Sequence, residues 1–267
     1  MSKLDSAALV VDHVTKEFVA RRGRHTVFSN LCMTVADGEF VAMIGPTGCG
    51  KTTLLNLLAG LDLPSEGVIA FHDRRVLGPD PKRGVVFQQY ALFPWLTVAG
   101  NVEFGLRIAG VQKNERRSIV DHYLEMMHLT AFRDLLPKEL SGGMKQRASL
   151  ARAYANNPEV LLMDEPFGSL DAQTRRVLQL ELLALWQRER RTVVFVTHDI
   201  EEALLLSQRV AVLGGSPTTI TREVTVPFPY PRSEETTSLP EFAELRASLW
   251  NELLPSASPT MHSPVAQ

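Results

Sequence analysis

Gly45-Pro46-Thr47-Gly48-Cys49-Gly50-Lys51-Thr52-Thr53 is a full match to the phosphate-loop pattern G-x-x-x-x-G-K-[ST]. Its flanks supply the required context. Phe40-Val41-Ala42-Met43-Ile44 is a short apolar run suited to a buried parallel strand, and Leu54-Leu55-Asn56-Leu57-Leu58-Ala59 suits a helix. Gly45, Gly48 and Gly50 let the backbone curl so that successive N–H groups point inward, and the helix N-terminus adds a partial positive charge. Strand, loop and helix thus form an anion cradle, in which Lys51 can reach the β- and γ-phosphates and the Thr52 hydroxyl can ligate Mg2+. The reading is nucleoside triphosphate binding. Cys49, just before the helix N-terminus, is expected to have a lowered pKa and to react as thiolate.

The chain has 267 residues, enough for a large core and one or two domains. A net charge of −2 gives no global basic field, which argues against binding nucleic acid or an anionic membrane by bulk electrostatics. Only Cys32 and Cys49 occur. A disulfide through Cys49 would obstruct the loop, so a reducing compartment is expected, and the protein is read as cytoplasmic. Residues 1–12 lack a signal-peptide apolar stretch, and no run of about 18 apolar residues occurs. Any membrane crossing is left to another chain.

Residues 8–19 and 26–35 read as antiparallel strands joined through Arg21-Arg22-Gly23-Arg24, a cluster better suited to a solvated hairpin tip than to a phosphate grip. Phe18 either packs in the core or offers its face to a purine ring. Two more short strands fit residues 68–71 and 84–87. The second leads into Gln88-Gln89, either a simple exit to solvent or a placed amide reaching a ligand. From residue 97 to about 135 the spacing becomes helical, with Val102, Leu106, Val111, Ile119 and Tyr123 recurring among polar residues. Met126, Met127 and Met144 are read as core fillers, since no His or Cys cluster accompanies them.

Leu140-Ser141-Gly142-Gly143-Met144-Lys145-Gln146-Arg147 opens another helix, with Ser141 as N-cap. Glycine inside a helix costs about 1 kcal/mol against alanine. Two in succession make sense if a phosphate must approach bare backbone N–H groups there. Val160-Leu161-Leu162-Met163-Asp164-Glu165 is a buried-strand run ending in two acids. Ligands of open α/β sheets bind at that carboxyl edge, so Asp164 is read as a Mg2+ ligand and Glu165 as the group that polarises the attacking water. Ser169-Leu170-Asp171 precedes a helix from residue 172 to 187, whose end, Arg188-Glu189-Arg190-Arg191, is read as solvated. The strand Thr192-Val193-Val194-Phe195-Val196 delivers Thr197-His198-Asp199 to the same edge, placing His198 for a γ-phosphate contact. Asp199-x-x-Glu202 reads as a capping box. Strands are expected at residues 210–213 and 220–226. Pro227, Pro229 and Pro231 then break the pattern, and Ser238-x-x-Glu241 is expected to cap a final helix with Phe242, Leu245, Leu249 and Leu253 on one face.

In order and spacing, the phosphate loop, Gln88, Leu140-Ser141-Gly142-Gly143, Leu162-Met163-Asp164-Glu165, Ser169-Leu170-Asp171 and Thr197-His198-Asp199 together resemble the ATP-binding-cassette (ABC) ATPases of transporters. Gln88-Gln89-Tyr90-Ala91-Leu92-Phe93-Pro94-Trp95-Leu96, the stretch from Asp164 through Arg175, and His198-Asp199-Ile200-Glu201-Glu202-Ala203 are similar to the nitrate/sulfonate/taurine branch of bacterial importers, although that branch more often carries Ala at the position of Ser169. The resemblance implies an α/β fold: a P-loop NTPase core with a mostly parallel sheet, an N-terminal antiparallel β subdomain and an α-helical insertion. It places the ATPase domain at residues 1–235 with the insertion at about 97–157, the C-terminal amphipathic helix at 236–254 and a disordered tail at 255–267.

The resemblance further implies ATP and Mg2+ as ligands, with nucleotide contacts from Phe18, Gly45, Pro46, Thr47, Gly48, Cys49, Gly50, Lys51, Thr52 and Thr53. A head-to-tail homodimer is implied, in which Ser141, Gly142 and Gly143 of one subunit close on the ATP held by the other and Asp171 couples the two sites. Glu165, His198, Gln88 and Lys51 carry the chemistry, and Thr52, Gln88 and Asp164 hold the metal. The implied partners are integral-membrane permease subunits and, through them, an extracytoplasmic solute-binding protein, with the chain peripheral at the cytoplasmic face of the inner membrane. A soluble cassette protein acting on nucleic acid or ribosomes fits less well, because this chain has neither a coiled-coil insertion nor a second cassette and its charge is neutral. A small-molecule kinase leaves the Ser-Gly-Gly helix unexplained.

Overall fold

The computed structural model describes residues 7–20 and 23–253. In chain order it contains β1 (Ala7–Ala20), β2 (Gly23–Ala36), β3 (Phe40–Ile44), α1 (Lys51–Ala59), β4 (Glu66–Phe71), β5 (Arg74–Arg75), β6 (Arg83–Val86), α2 (Val98–Ile108), α3 (Lys113–Met126), α4 (Gly142–Ala155), β7 (Val160–Asp164), α5 (Ala172–Glu189), β8 (Thr192–Val196), α6 (Ile200–Leu206), β9 (Arg209–Gly214), β10 (Thr219–Thr225), α7 (Glu234–Thr237) and α8 (Pro240–Leu253). Residues 21–22 of the expected hairpin tip and the expected tail at 255–267 lie outside the described residues.

The apolar five-residue runs become the middle of a six-stranded sheet ordered β10-β9-β3-β8-β7-β6. β3, β6, β7, β8 and β9 run parallel, and only the edge strand β10 is antiparallel. Every residue of β3, β7 and β8 is buried, as a sheet covered on both faces requires. Alternation divides their side chains between the two faces of the sheet. Val41, Met43, Leu162, Val194 and Val196 pack with α1 and the second sheet. Phe40, Leu161, Met163, Val193 and Phe195 pack with the helical insertion and α5 on the other face. The second sheet is antiparallel, ordered β2-β1-β4-β5, and its inner residues Leu9, Val11, Phe28, Leu31 and Ile69 meet α1.

The helical insertion contains α2, α3 and two short 3-10 turns before α4. Met127 is buried and Met126 and Met144 pack against the same core, so the methionines fill space as expected. α8 buries Phe242 and Leu249 with Leu245 and Leu253 beside them, against α6, β3 and β9.

Three local expectations are corrected. Ser238 does not cap α8; its hydroxyl donates to the Glu234 carbonyl and closes α7, whose own cap is Ser233, and Leu239 accepts the first helical bonds of α8. Asp199 caps α6 by accepting from the N–H groups of Glu201 and Glu202, but the reciprocal half of the box is missing. The Asp199 N–H goes to Thr197 Oγ1, and Glu202 turns inward to accept from Gln179 at 2.9 Å. The end of α5 is not simply solvated. Arg191 is largely buried, pairs with Glu189 at 2.6 Å and donates to the Pro158 carbonyl, joining the strap before β8 to the strap before β7.

Candidate functional site

Parallel register decides what meets at the sheet edge. Met43 of β3 and Asp164 of β7 both align with Val196 of β8, and Val86 of β6 aligns with Met163. The residues that follow these strands, the phosphate loop, Glu165, Thr197-His198 and Gln88, therefore emerge side by side.

The loop has the backbone that its glycines predict. Gly48 and Gly50 adopt φ of 83° and 94°, which side-chain-bearing residues rarely enter. A Cβ at Gly50 would stand 2.5 Å from Val27 and 2.9 Å from Phe28, so glycine is also what lets β2 close behind the loop. Lys51 is buried, and its ammonium donates to the Gly45 and Pro46 carbonyls at 2.8 and 3.1 Å. Thr52 Oγ1 donates to Asp164 Oδ1 at 3.2 Å. Burial pushes the Asp164 carboxyl above its ordinary value, against the Thr52 hydrogen bond.

Glu165 is the hub. Its Oε2 lies 3.1 Å from His198 Nδ1 and 3.4 Å from Gln88 Nε2. Its backbone holds φ at 42°, a left-handed conformation costly for a side-chain-bearing residue and fixed here by its N–H donating to Val196 O and its carbonyl accepting from Gly168. The turn points the carboxylate across the sheet edge rather than along it.

Three other expected site elements lie outside the Glu165 cluster of hydrogen bonds. Ser141 caps α4 by accepting from the Met144 N–H at 3.3 Å. The glycines after it have a reason within the chain: a Cβ on Gly143 would stand 2.6 Å from Thr174 Cγ2, and one on Gly142 would press on Tyr90 Oη and Leu170 at 3.2 and 3.3 Å. Packing of α4 on the start of α5 thus disfavours a side chain at Gly143, whereas one at Gly142 would need only small shifts of its neighbours. Asp171 caps α5 by accepting from the Thr174 N–H at 2.9 Å, a bond that holds its carboxyl below the usual range. Phe18 stands 43% exposed near the end of β1, with the Lys16 ammonium 4.8 Å above one face of its ring; it is not a core residue.

Cys49 departs from expectation. It lies on the inner side of the loop, 7% exposed and close enough to Gly45 that a Cβ there would meet its sulfur at 2.7 Å. Burial pushes the thiol up, and the opposing pull of Lys51 does not overcome it.

The ABC transporter family profile matches residues 28–168. The chain belongs to the ABC transporter family. It is 48% identical over 221 residues to the nitrate import ATP-binding protein of Synechocystis, covering 83% of each chain, and 44% identical over 223 residues to the taurine import ATP-binding protein of Ruegeria pomeroyi, again covering 83% of each. Among solved structures it is similar to the dimeric post-hydrolysis state of an ATP-binding cassette bound to ADP and Pi, with a TM-score of 0.74 and 33% identity over 82% of this chain and 99% of that one.

Sequence reasoning missed three residues that position this ABC subunit's site. Arg152 of α4 donates to the Tyr90 and Ala91 carbonyls, fixing the loop that follows Gln88. Asn101 of α2, fully buried, accepts from the Phe93 N–H and donates to the Phe93, Leu96 and Thr97 carbonyls. Arg232, also buried, caps the end of α6 through the Leu204 and Ser207 carbonyls. The partners of Arg152 and these two of Arg232 are distant in the sequence, and Asn101 binds the loop just before its own helix through a pattern that no spacing rule announces.

Proposed function

We propose that this chain is the ATP-hydrolysing subunit of an ABC importer, energising uptake of a small solute such as nitrate, sulfonate, taurine or a related compound through a separate membrane permease. The observation that carries the reading is the convergence of His198 and Gln88 on the Glu165 carboxylate beside the phosphate loop. Glu165 is the water-polarising base. His198 and Gln88 orient it from either side, His198 also contacting the γ-phosphate, and Lys51 neutralises charge on the transferring group. The phosphate loop and Phe18 bind the nucleotide.

The oxygen donors of Thr52 and Asp164, 3.2 Å apart, suit a hard divalent cation, and a cation would offset the cost of burying Asp164 as an anion. Thr52, Asp164 and the free amide oxygen of Gln88 would hold Mg2+, which supplies charge neutralisation at the phosphates.

The active unit in this reading is a head-to-tail homodimer. Ser141, Gly142 and Gly143, at the start of α4, close on the ATP held by the partner subunit. Asp171, at the start of α5, then links the two sites. No helix among the described residues is long and apolar enough to cross a membrane. In this reading, which the similarity to import ATP-binding proteins supports, the subunit is peripheral at the cytoplasmic face of the inner membrane, held by the permease and served indirectly by a solute-binding protein.

Glu165→Gln tests the assignment. It keeps the shape and removes the base, so ATP binding persists while hydrolysis falls by at least about 10²-fold. Near-normal turnover by the purified variant would remove Glu165 from the role.

A further inference from the structure

Away from the nucleotide site, Asp12, His13 and Cys32 bring an oxygen, a nitrogen and a sulfur donor within 4.8 Å of one another. Neighbouring residues of a regular strand point to opposite faces, yet Asp12 and His13 of β1 are both exposed. The register shows why. Val11 pairs with Met33 and Val14 with Leu31, so two residues of β1 oppose Cys32 alone, a β-bulge in which His13 adopts φ 49°. The His13 N–H donates to Cys32 Sγ at 3.4 Å. From β4, Gly67 approaches so closely that a Cβ there would stand 2.3 Å from the His13 carbonyl oxygen, which backs the bulge with main chain.

The imidazole is oriented for ligation. Its Nδ1 lies 2.5 Å from Asn30 Oδ1, and in the neutral tautomer that donates this bond from Nδ1 the lone pair is on Nε2. That Nε2 faces Asp12 Oδ1 at 3.7 Å, too long for a hydrogen bond. Ligand bonds of about 2.0–2.3 Å set tetrahedral donor atoms roughly 3.3–3.7 Å apart, so the pair already has the spacing that a shared ion needs. A histidine whose second nitrogen donates to an oxygen is the usual arrangement of a metal-bound imidazole.

We propose that Asp12, His13 and Cys32 form a binding site for a borderline-soft divalent cation of the Zn2+ class. Thiolate and imidazole select against Mg2+ and Ca2+, and three protein ligands leave one tetrahedral position for water. On ligation the Cys32 thiol gives its proton to solvent, its sulfur forms the bond to the ion, and the ion keeps its oxidation state. The cation ties β1 to β2 across the bulge.

Co2+ titration of the full nucleotide-free chain, with a phosphine as reductant, tests this. A near-ultraviolet thiolate-to-metal band should saturate at one ion per chain, with one proton released, and be bleached by Zn2+. Cys32→Ser should abolish the band and Cys49→Ser should keep it. His13→Ala and Asn30→Ala should each weaken binding, the latter by about 10–100-fold, the range for losing the partner of a ligating histidine. Asn30, His13 and Cys32 are exposed while Cys49 is buried, and circular dichroism verifies that each variant folds. A folded wild-type chain with no band, a band that survives Cys32→Ser, or an affinity unmoved by His13→Ala would overturn the site.

Discussion

The Tyr90 hydroxyl and Ser169 Oγ stand 2.9 Å apart, joining the loop after Gln88 to the turn after Glu165. The two segments meet the phosphate loop from different strands, so this bond is a direct link between the amide and carboxylate sides of the site. It also gives Ser169 a use that alanine could not supply.

Because the pair is solvent-exposed, Tyr90→Phe and Ser169→Ala should each change stability by no more than about 1 kcal/mol. If the bond couples the loop to the site, each variant should lower permease-stimulated hydrolysis, and the double variant should be no worse than the weaker single one. Multiplying effects in that double-mutant cycle would show that the two residues act separately.

The parts of this site that were legible in the sequence are those with a local cause. The phosphate loop is readable because φ values of 83° and 94° demand glycine. β3, β7 and β8 are readable because a strand buried on both faces must be apolar throughout. Arg152 was not, since its partners lie 61 and 62 residues away and are fixed by tertiary packing, and Asn101 was not, since its amide binds an irregular loop that follows no motif. At Gly143 the sequence alone does not reveal that the Thr174 methyl also disfavours a Cβ, because that contact arises only when α4 packs on α5. Glu202 follows a capping-box pattern, but burial against Gln179 outcompetes the cap.

Cys49 lies in the phosphate loop, yet its thiol is buried and pushed up while Cys32 is exposed. Maleimide should therefore label Cys32 first and leave Cys49 largely unmodified at neutral pH. Mass analysis of peptides from a quenched time course gives both rates. Equal or faster modification of Cys49 would mean that the loop opens readily to solvent.

Glu202 makes stability depend on pH. Burial pushes its carboxyl up to about 7 from 4.5, against hydrogen bonds from Thr197 and Gln179. Between those values the folded chain holds a proton that the unfolded chain has released. The resulting stabilisation is full below about 4.5, falls as pH rises, and is gone above about 7. The slope is on the order of 1.4 kcal/mol per pH unit at most. Glu202→Gln keeps an acceptor for Gln179 and removes the titration. Thermal midpoints from pH 5 to 8 should fall more steeply for the wild type than for the variant, and parallel curves would assign the dependence to another group.

We propose that the permease docks at Trp95, which is 72% exposed beside a groove lined by Phe87, Ala91, Phe93, Phe104 and Arg152. Phe93 packs on Phe104 with ring centroids 4.4 Å apart and on Trp95 at 5.6 Å, so part of the aromatic stretch is held by its own chain while the Trp95 ring stands largely exposed. Large aromatic anchors in such grooves dominate binding energy. Trp95→Ala should keep basal ATPase activity and reduce both co-purification with the permease and substrate-stimulated hydrolysis. Asn101→Ala should behave differently: it strands the backbone groups of residues 93–97, costing about 1–3 kcal/mol in stability and lowering association only through the displaced loop. Denaturant unfolding of the isolated subunit separates the two effects. Full association by Trp95→Ala would move the docking surface away from this groove.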